Sequence, residues 1–230
     1  MIKALLLDFN GVILDDEGIQ QRIYTELLKE HDIDLTEEDY MASLGMDDKT
    51  FVASAMLRAG READFEKILE LTAEKTSRWR KVIDAEMPLF AGAENFIHKT
   101  SNELSLGIVS MSKREEIEFV LEKAGISNCF NTIVSAEDIE KCKPDPECYR
   151  LGFKLIDRSR TAIGHLPMLT SECVVVEDSP PGVAAARSAD LPVLGITNTV
   201  DEAALRKAGA NAVSRHLDDW FSESFRLVFS

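Results

Sequence analysis

The sequence predicts an α/β protein with a doubly wound parallel-sheet core and an α-helical cap domain inserted after its first strand. Three observations predict it. Short, doubly apolar runs closed by polar residues recur along the chain, as strands buried on both faces should. Amphipathic helical patterns separate most of them. The stretch of residues 16–87, directly after the first run, carries helical patterns and no strand.

The first run is Ala4-Leu5-Leu6-Leu7, ending at Asp8. The second covers residues 106–109 and ends at Ser110, and the third covers 132–134 and ends at Ser135. The fourth, residues 173–176, ends at Glu177-Asp178, and a fifth covers 192–196. Between them, residues 113–124 place Ile117, Val120, Leu121 and Ala124 on one face, with Gly125 as the stop. Residues 145–155 open with Asp145 as the expected N-cap and Pro146 at the first helical position. Residues 182–189 are alanine-rich and suit close packing on a sheet, while 157–171, with Gly164 and Pro167, read as a surface loop. In the insert, helices are expected over 19–31, 37–44, 50–59 and 65–82. The domains are therefore expected at 1–15 plus 88–230 for the core and 16–87 for the cap.

Of 230 residues, 45% are hydrophobic, enough for a sizeable core, and the net charge is −15. That excess of negative charge disfavours nucleic acid and anionic membrane surfaces as partners. The four cysteines form no C-x-x-C pair and no zinc spacing, so reduced thiols and a cytoplasmic location are expected. The strand pattern starts right after Met1-Ile2-Lys3, and no apolar run is long enough to span a bilayer, so neither a secretory leader nor a membrane anchor is expected. Either a monomer or a homodimer is compatible with these features.

Ligands of open parallel sheets bind beyond the carboxyl ends of the strands. Those ends carry Asp8, Ser110, Glu177 and Asp178, and Lys143 sits in the loop Lys143-Pro144-Asp145-Pro146. Carboxylates converging on one crevice repel unless a cation separates them, and hard oxygen ligands favour Mg2+. A carboxylate beside that ion can attack a phosphoryl group, while a hydroxyl and an ammonium hold the phosphoryl oxygens.

In this order the residues resemble a known family. Asp8-Phe9-Asn10-Gly11-Val12-Ile13 resembles the first motif of the haloacid dehalogenase superfamily, Ser110 the second, Lys143-Pro144-Asp145-Pro146 the third, and Glu177-Asp178-Ser179-Pro180-Pro181-Gly182 the fourth. The likeness is greatest to the β-phosphoglucomutase and phosphoglycolate phosphatase-like branch. It implies a Rossmann-like core, a helical cap, Mg2+ as cofactor and a small phosphorylated metabolite as substrate. Asp8 then matches the nucleophile, Ser110 and Lys143 the phosphoryl-binding groups, and Asp178, Glu177 and the Asn10 carbonyl the metal site. Gln20, Gly45, Asp48, Lys49, Ser112 and Lys113 are the expected substrate-binding positions.

The sequence departs from the family at Asn10, where its phosphatases and mutases usually carry an acid–base Asp. An amide cannot exchange a proton in that way, so turnover is expected to be slowed, and Asn10→Asp is expected to raise it without disturbing the fold. Asp48 falls where the mutase has a phosphate-gripping Arg, and Gln20 where it has a His, which disfavours sugar-phosphate mutase activity. Two alternatives stay open at this point. One is phosphonoacetaldehyde hydrolase-like C–P cleavage with Lys49 as the Schiff-base lysine, and the other is a non-catalytic phosphometabolite-binding protein.

Overall fold

The computed structural model describes residues 1–229. Six strands form its centre: β1 (Ala4–Leu7), β2 (Ser105–Val109), β3 (Thr132–Val134), β4 (Cys173–Glu177), β5 (Val193–Ile196) and β6 (Ala212–Ser214). They lie in the order β3-β2-β1-β4-β5-β6, every pairing parallel. The chain leaves β1 for β2 on one side and later returns to β4 on the other. The sheet's topological switch point therefore lies between β1 and β4, where a crevice opens beyond the strand ends.

The apolar runs become central strands because helices cover both faces of the sheet. Alternation along β1 sends Leu5 and Leu7 into one apolar cluster and Ala4 and Leu6 into the other. The first cluster is closed by Phe96 of α5 (Ala93–Ser101), Ile117 and Val120 of α6 (Arg114–Lys123) and Phe225 of α10 (Ser222–Val228). The second is closed by Tyr149 of α7 (Glu147–Ala162), Val183 of α8 (Pro180–Ser188) and Leu205 of α9 (Glu202–Ala208).

Four helices lie between β1 and α5: α1 (Glu17–Lys29), α2 (Glu37–Met41), α3 (Asp48–Arg58) and α4 (Phe65–Ala85). The starts of α2, α3 and α4 are fixed locally by side-chain caps. Thr36 and Asp39 form a capping box, Asp47 accepts the Thr50 N–H, and Asp64 accepts the Glu66 N–H. Tyr24, Leu27, Phe51, Val52 and Leu71 build a separate apolar cluster inside this bundle. Ile23, Trp79 and Ile83 join the sheet-side cluster instead, so apolar packing runs from the cap into the core.

A buried polar bridge also ties the two parts. The Lys75 ammonium of α4 lies 3.2 Å from Asp48 and 3.3 Å from Glu116 of α6. Thr76 donates to Glu116 at 2.9 Å, and Lys113 donates to Thr76 at 2.8 Å and to the Thr72 carbonyl at 3.2 Å.

Some expected bounds shift. α7 begins at Glu147 rather than at residue 145, although Asp145 still accepts the Glu147 N–H at 3.0 Å. It runs on to Ala162, so residues 157–162 are helix and not loop. Their polar sequence hides the reason: Arg160 folds back onto the Lys3 carbonyl and the Ser105 hydroxyl and so docks the helix end on the sheet. α8 starts at Pro180, two residues before the expected start, with Ser179 as its N-cap. β6 carried no readable signal, because three half-buried residues are too few to show a period. Gly125 does stop α6, in the left-handed region at φ 71°. No helix among the described residues is long and apolar enough to cross a membrane.

β1 is buried on both faces and paired on both edges. Leu6→Ala is expected to cost about 2–5 kcal/mol, as large-to-small core changes do. Urea denaturation should show this as a lower midpoint at an unchanged slope.

Candidate active site

The switch point gathers the chemistry. Asp8 follows β1, Ser110 follows β2, Asp178 follows β4, and Lys143 arrives from the loop before α7. All four line one cleft of about 90 Å³, which the cap covers with Glu17, Gln20, Tyr24, Tyr40, Phe51 and the segment from Ser43 to Asp48.

The Lys143 ammonium lies 2.9 Å from Asp8 Oδ2 and 2.6 Å from Glu177 Oε1. Asp8 Oδ1 accepts the Phe9 N–H at 2.8 Å. Glu177 accepts far more: Lys143 and Tyr149 on Oε1, and the Asp178 N–H, Ser179 N–H and Ser179 hydroxyl on Oε2. Asp178 receives the Thr199 hydroxyl. One oxygen from each of Asp8, Glu177 and Asp178 lies within 4.8 Å of the others.

Burial under this crowding acts unequally on the three carboxyl groups. Asp8 is pushed up to about 8, by burial above all, against the opposing pull of Lys143. Asp178 is driven well above the carboxylate range by burial and by the charges of Glu177 and Asp8. For Glu177, burial is outweighed by Lys143 and the Ser179 donors, which hold it below its ordinary value. Asp8 and Asp178 are thus the carboxylates that call for a cation, while Glu177 is saturated and acts to hold Lys143. The backbone is shaped around them. A Cβ at Gly11, whose φ is +72°, would lie 1.8 Å from Asp178 Oδ2, and one at Gly182 would lie 1.6 Å from Glu177 Oε1. Only glycine lets these two segments approach the carboxylates so closely.

Asn10 also lines the cleft, and both ends of its amide are engaged. Oδ1 accepts the Ser112 hydroxyl at 2.6 Å and faces that of Ser110 at 3.4 Å. Nδ2 donates to Asp16 Oδ1 at 2.9 Å. The other Asp16 oxygen accepts from Trp79 Nε1 at 2.7 Å and from Gln20 Nε2 at 3.1 Å. Asp16 is wholly buried, and burial raises its pKa while these donors oppose the rise. All three of these contacts bring N–H donors to Asp16, so its oxygens act here as acceptors and fix which way the Asn10 amide points. Asn10→Asp would replace the donor at this contact with a second carboxyl group facing Asp16.

The other expected substrate positions divide. Gln20, Gly45, Asp48 and Ser112 border the cleft, with Asp48 already held by Lys75 and Tyr24. Lys49 and Lys113 do not line it. They border a neighbouring hollow, where Lys49 is exposed and Lys113 is spent on α4. Asp16, Glu17, Tyr149 and Thr199 were not read from the sequence. Asp16 and Glu17 closely follow the first motif, and an unbroken acidic run there was the available signal. Tyr149 and Thr199 carried none.

The sequence profile described as haloacid dehalogenase-like hydrolase matches residues 5–196. The chain is 28% identical over 219 residues to "Protein SUPPRESSOR OF QUENCHING 1, chloroplastic" of Arabidopsis thaliana, covering 92% of this chain but only 19% of that much longer protein. It is 26% identical to "Validoxylamine A 7'-phosphate phosphatase" of Streptomyces hygroscopicus subsp. limoneus, covering 90% of this chain and 92% of the relative. The crystal structure of β-phosphoglucomutase from Clostridium difficile superposes with a TM-score of 0.85 at 22% identity, over 100% of this chain and 97% of that one, which shows a shared fold.

The Asn10–Asp16 contact generates a reciprocal test. Asn10→Asp and Asp16→Asn each leave a buried clash of like groups and should each cost about 1–3 kcal/mol. The exchange Asn10→Asp/Asp16→Asn rebuilds every hydrogen bond with the roles reversed, so it should recover most of the sum in a double-mutant cycle of thermal melts. Strictly additive losses would show that the two side chains are not coupled.

Proposed function

The chain belongs to the haloacid dehalogenase-like hydrolase family, and on that footing we propose that it is a magnesium-dependent phosphatase of a small phosphorylated metabolite, acting through an aspartyl-phosphate at Asp8. The observation that carries this reading is the pairing of Asp8 with Lys143 beside Asp178 at the floor of a covered cleft. An attacking carboxylate oxygen, a fixed ammonium and a second buried carboxylate are the parts that phosphoryl transfer to a carboxylate requires.

The donor set fits a hard divalent cation. Asp8 and Asp178 are buried oxygen ligands with few hydrogen bonds of their own, and Lys143 alone leaves the three clustered carboxylates in negative excess. Asp8, Asp178 and the Asn10 carbonyl would hold Mg2+, which when bound supplies charge neutralisation and polarises a phosphoryl oxygen. Asp8 then attacks phosphorus in line with the leaving oxygen, Lys143 balances the growing charge, and the Ser110 hydroxyl binds a phosphoryl oxygen. The cap excludes water from the closed site.

The same geometry disfavours other chemistries. Asp48 occupies the cap rim with its charge spent on Lys75, and the cap's share of the cleft lining offers no cation to grip a second phosphate. Lys49 is exposed and outside the cleft, and Lys75 is buried in ion pairs, so neither is presented as a Schiff-base amine. The negative charge of the chain supports a free small-molecule substrate rather than nucleic acid or a membrane surface, and its four free cysteines suit a cytoplasmic setting.

With magnesium, the wild-type protein should hydrolyse 4-nitrophenyl phosphate and form a phosphoryl adduct on Asp8 that intact-mass analysis detects. Saturating Mg2+ should raise the melting temperature, by about 2.7 kcal/mol of stabilisation at a hundredfold excess over Kd. Asp178→Ala should abolish that rise, and Asp8→Asn should abolish both adduct and turnover. An unaltered magnesium response in Asp178→Ala would remove Asp178 from the metal site.

A further inference from the structure

A phosphatase with an amide at position 10 needs its proton carrier elsewhere. Asn10 cannot supply one, and its amide is already committed to Ser112 and Asp16. Asp16 is sealed behind it, with no exposure and no face on the cleft. The next residue, Glu17, does face the cleft, in the same 90 Å³ space as Asp8, Asn10 and Asp178. Its Oε2 accepts the Tyr40 hydroxyl at 2.7 Å, and its charge is felt at Asp178 across the cleft. Unlike Asp47, which caps α3, and Asp48, which is paired with Lys75, Glu17 is not spent on a cap or an ion pair.

Resting on the phosphatase reading above, we infer that Glu17 is the general acid and base of this site, performing from the start of α1 the proton transfers that Asn10 cannot. In the first half-reaction Asp8 Oδ forms a bond to phosphorus, the bond from phosphorus to the leaving oxygen breaks, and the Glu17 carboxyl proton passes to that oxygen to release the alcohol. In the second, water attacks the phosphorus of the aspartyl-phosphate and gives a proton to the Glu17 carboxylate. The bond from phosphorus to Asp8 breaks, and inorganic phosphate, free Asp8 and protonated Glu17 result. One phosphoester and one water yield one alcohol and one phosphate, with Glu17 restored.

The surroundings suit the exchange. Burial, then the neighbouring charge of Asp16, raises Glu17 to about 7, opposed by Tyr40 of α2 and Lys75 of α4, with Glu177 at the end of β4 adding to the rise and Asp178 close by. A carboxyl poised near neutrality can give and take a proton in one cycle.

The test compares wild type, Glu17→Gln, Tyr40→Phe and the triple variant Glu17→Gln/Asn10→Asp/Asp16→Asn, with magnesium, on 4-nitrophenyl phosphate and on an alkyl phosphate. For the aryl ester, whose leaving group needs little acid help, wild-type kcat should rise with pH through a limb near 7 as Glu17 becomes a base. Glu17→Gln should lose that limb, fall about 10²–10⁴-fold in kcat and accumulate phosphorylated Asp8. Tyr40→Phe removes a donor that favours the carboxylate, so it should shift the limb to higher pH while keeping Glu17. The triple variant, with a carboxylate returned to position 10, should regain most of the lost rate. A Glu17→Gln protein that keeps its kcat and pH profile, or changes only KM, overturns the role. A folded triple variant that stays as slow as Glu17→Gln overturns the claim that Glu17 replaces position 10. If wild type forms no Asp8 adduct with any phosphoester, the phosphatase reading itself fails, separately from these outcomes.

Discussion

Three buried carboxylates crowd together where β1 meets β4 with one buried ammonium, paired to two of them, and the rest of the molecule answers to that imbalance. Isolated ions in such a place cost several kcal/mol each unless paired and hydrogen-bonded. The fold meets the demand unequally. Glu177 takes donors from Lys143, Tyr149 and the turn into α8, and so becomes a structural anion that fixes the ammonium. Asp8 and Asp178 are left under-satisfied. The sheet topology that makes β1 and β4 neighbours, the two glycines that let backbone approach, and the aromatic and helical cover above all serve to hold this unrelieved pair in place.

A second layer of electrostatics joins the cap to the floor. Asp16 sits where the chain leaves the core for α1, and it gathers Asn10 from the floor together with Gln20 and Trp79 from cap helices. The amide at position 10 and the acid at position 16 form one hydrogen-bonding unit, with donor and acceptor poles complementary. Asn10 is thus matched to its surroundings on both sides, to the Ser112 hydroxyl through its oxygen and to Asp16 through its nitrogen.

Much of this was legible in the sequence, for reasons that differ by element. Apolar runs ending in Asp8, Ser110 and Glu177-Asp178 were readable because strands buried on both faces leave continuous hydrophobic stretches, and function collects at their ends. The helices of the insert were readable from period and caps. Side-chain allocation was not. Nothing in the spelling of Glu177 says that its oxygens are full, and nothing in Lys113 says that it turns to α4 instead of the cleft. Those outcomes depend on which donors the tertiary fold brings within 3 Å or so, a distance that periodicity cannot reach. Asp16 and Glu17 show the limit most clearly. They are adjacent in sequence, yet one is sealed among donors and the other opens on the cleft, a difference made by one residue's turn at the start of a helix.

The bridge through Lys75 bears on how such proteins can be recombined. Its ammonium is buried in the cap, but its neutralisation is divided between Asp48 of the cap and Glu116 of the core. A chimera that moved residues 16–87 onto another core without an acid at the place of Glu116 would strip Lys75 of one partner, and Lys113 and Thr76 would lose theirs in the same exchange. The module boundary drawn by the backbone is therefore not the boundary drawn by charge. A transplantable cap for this protein must bring Lys113, at the N-cap of α6, and Glu116 with it.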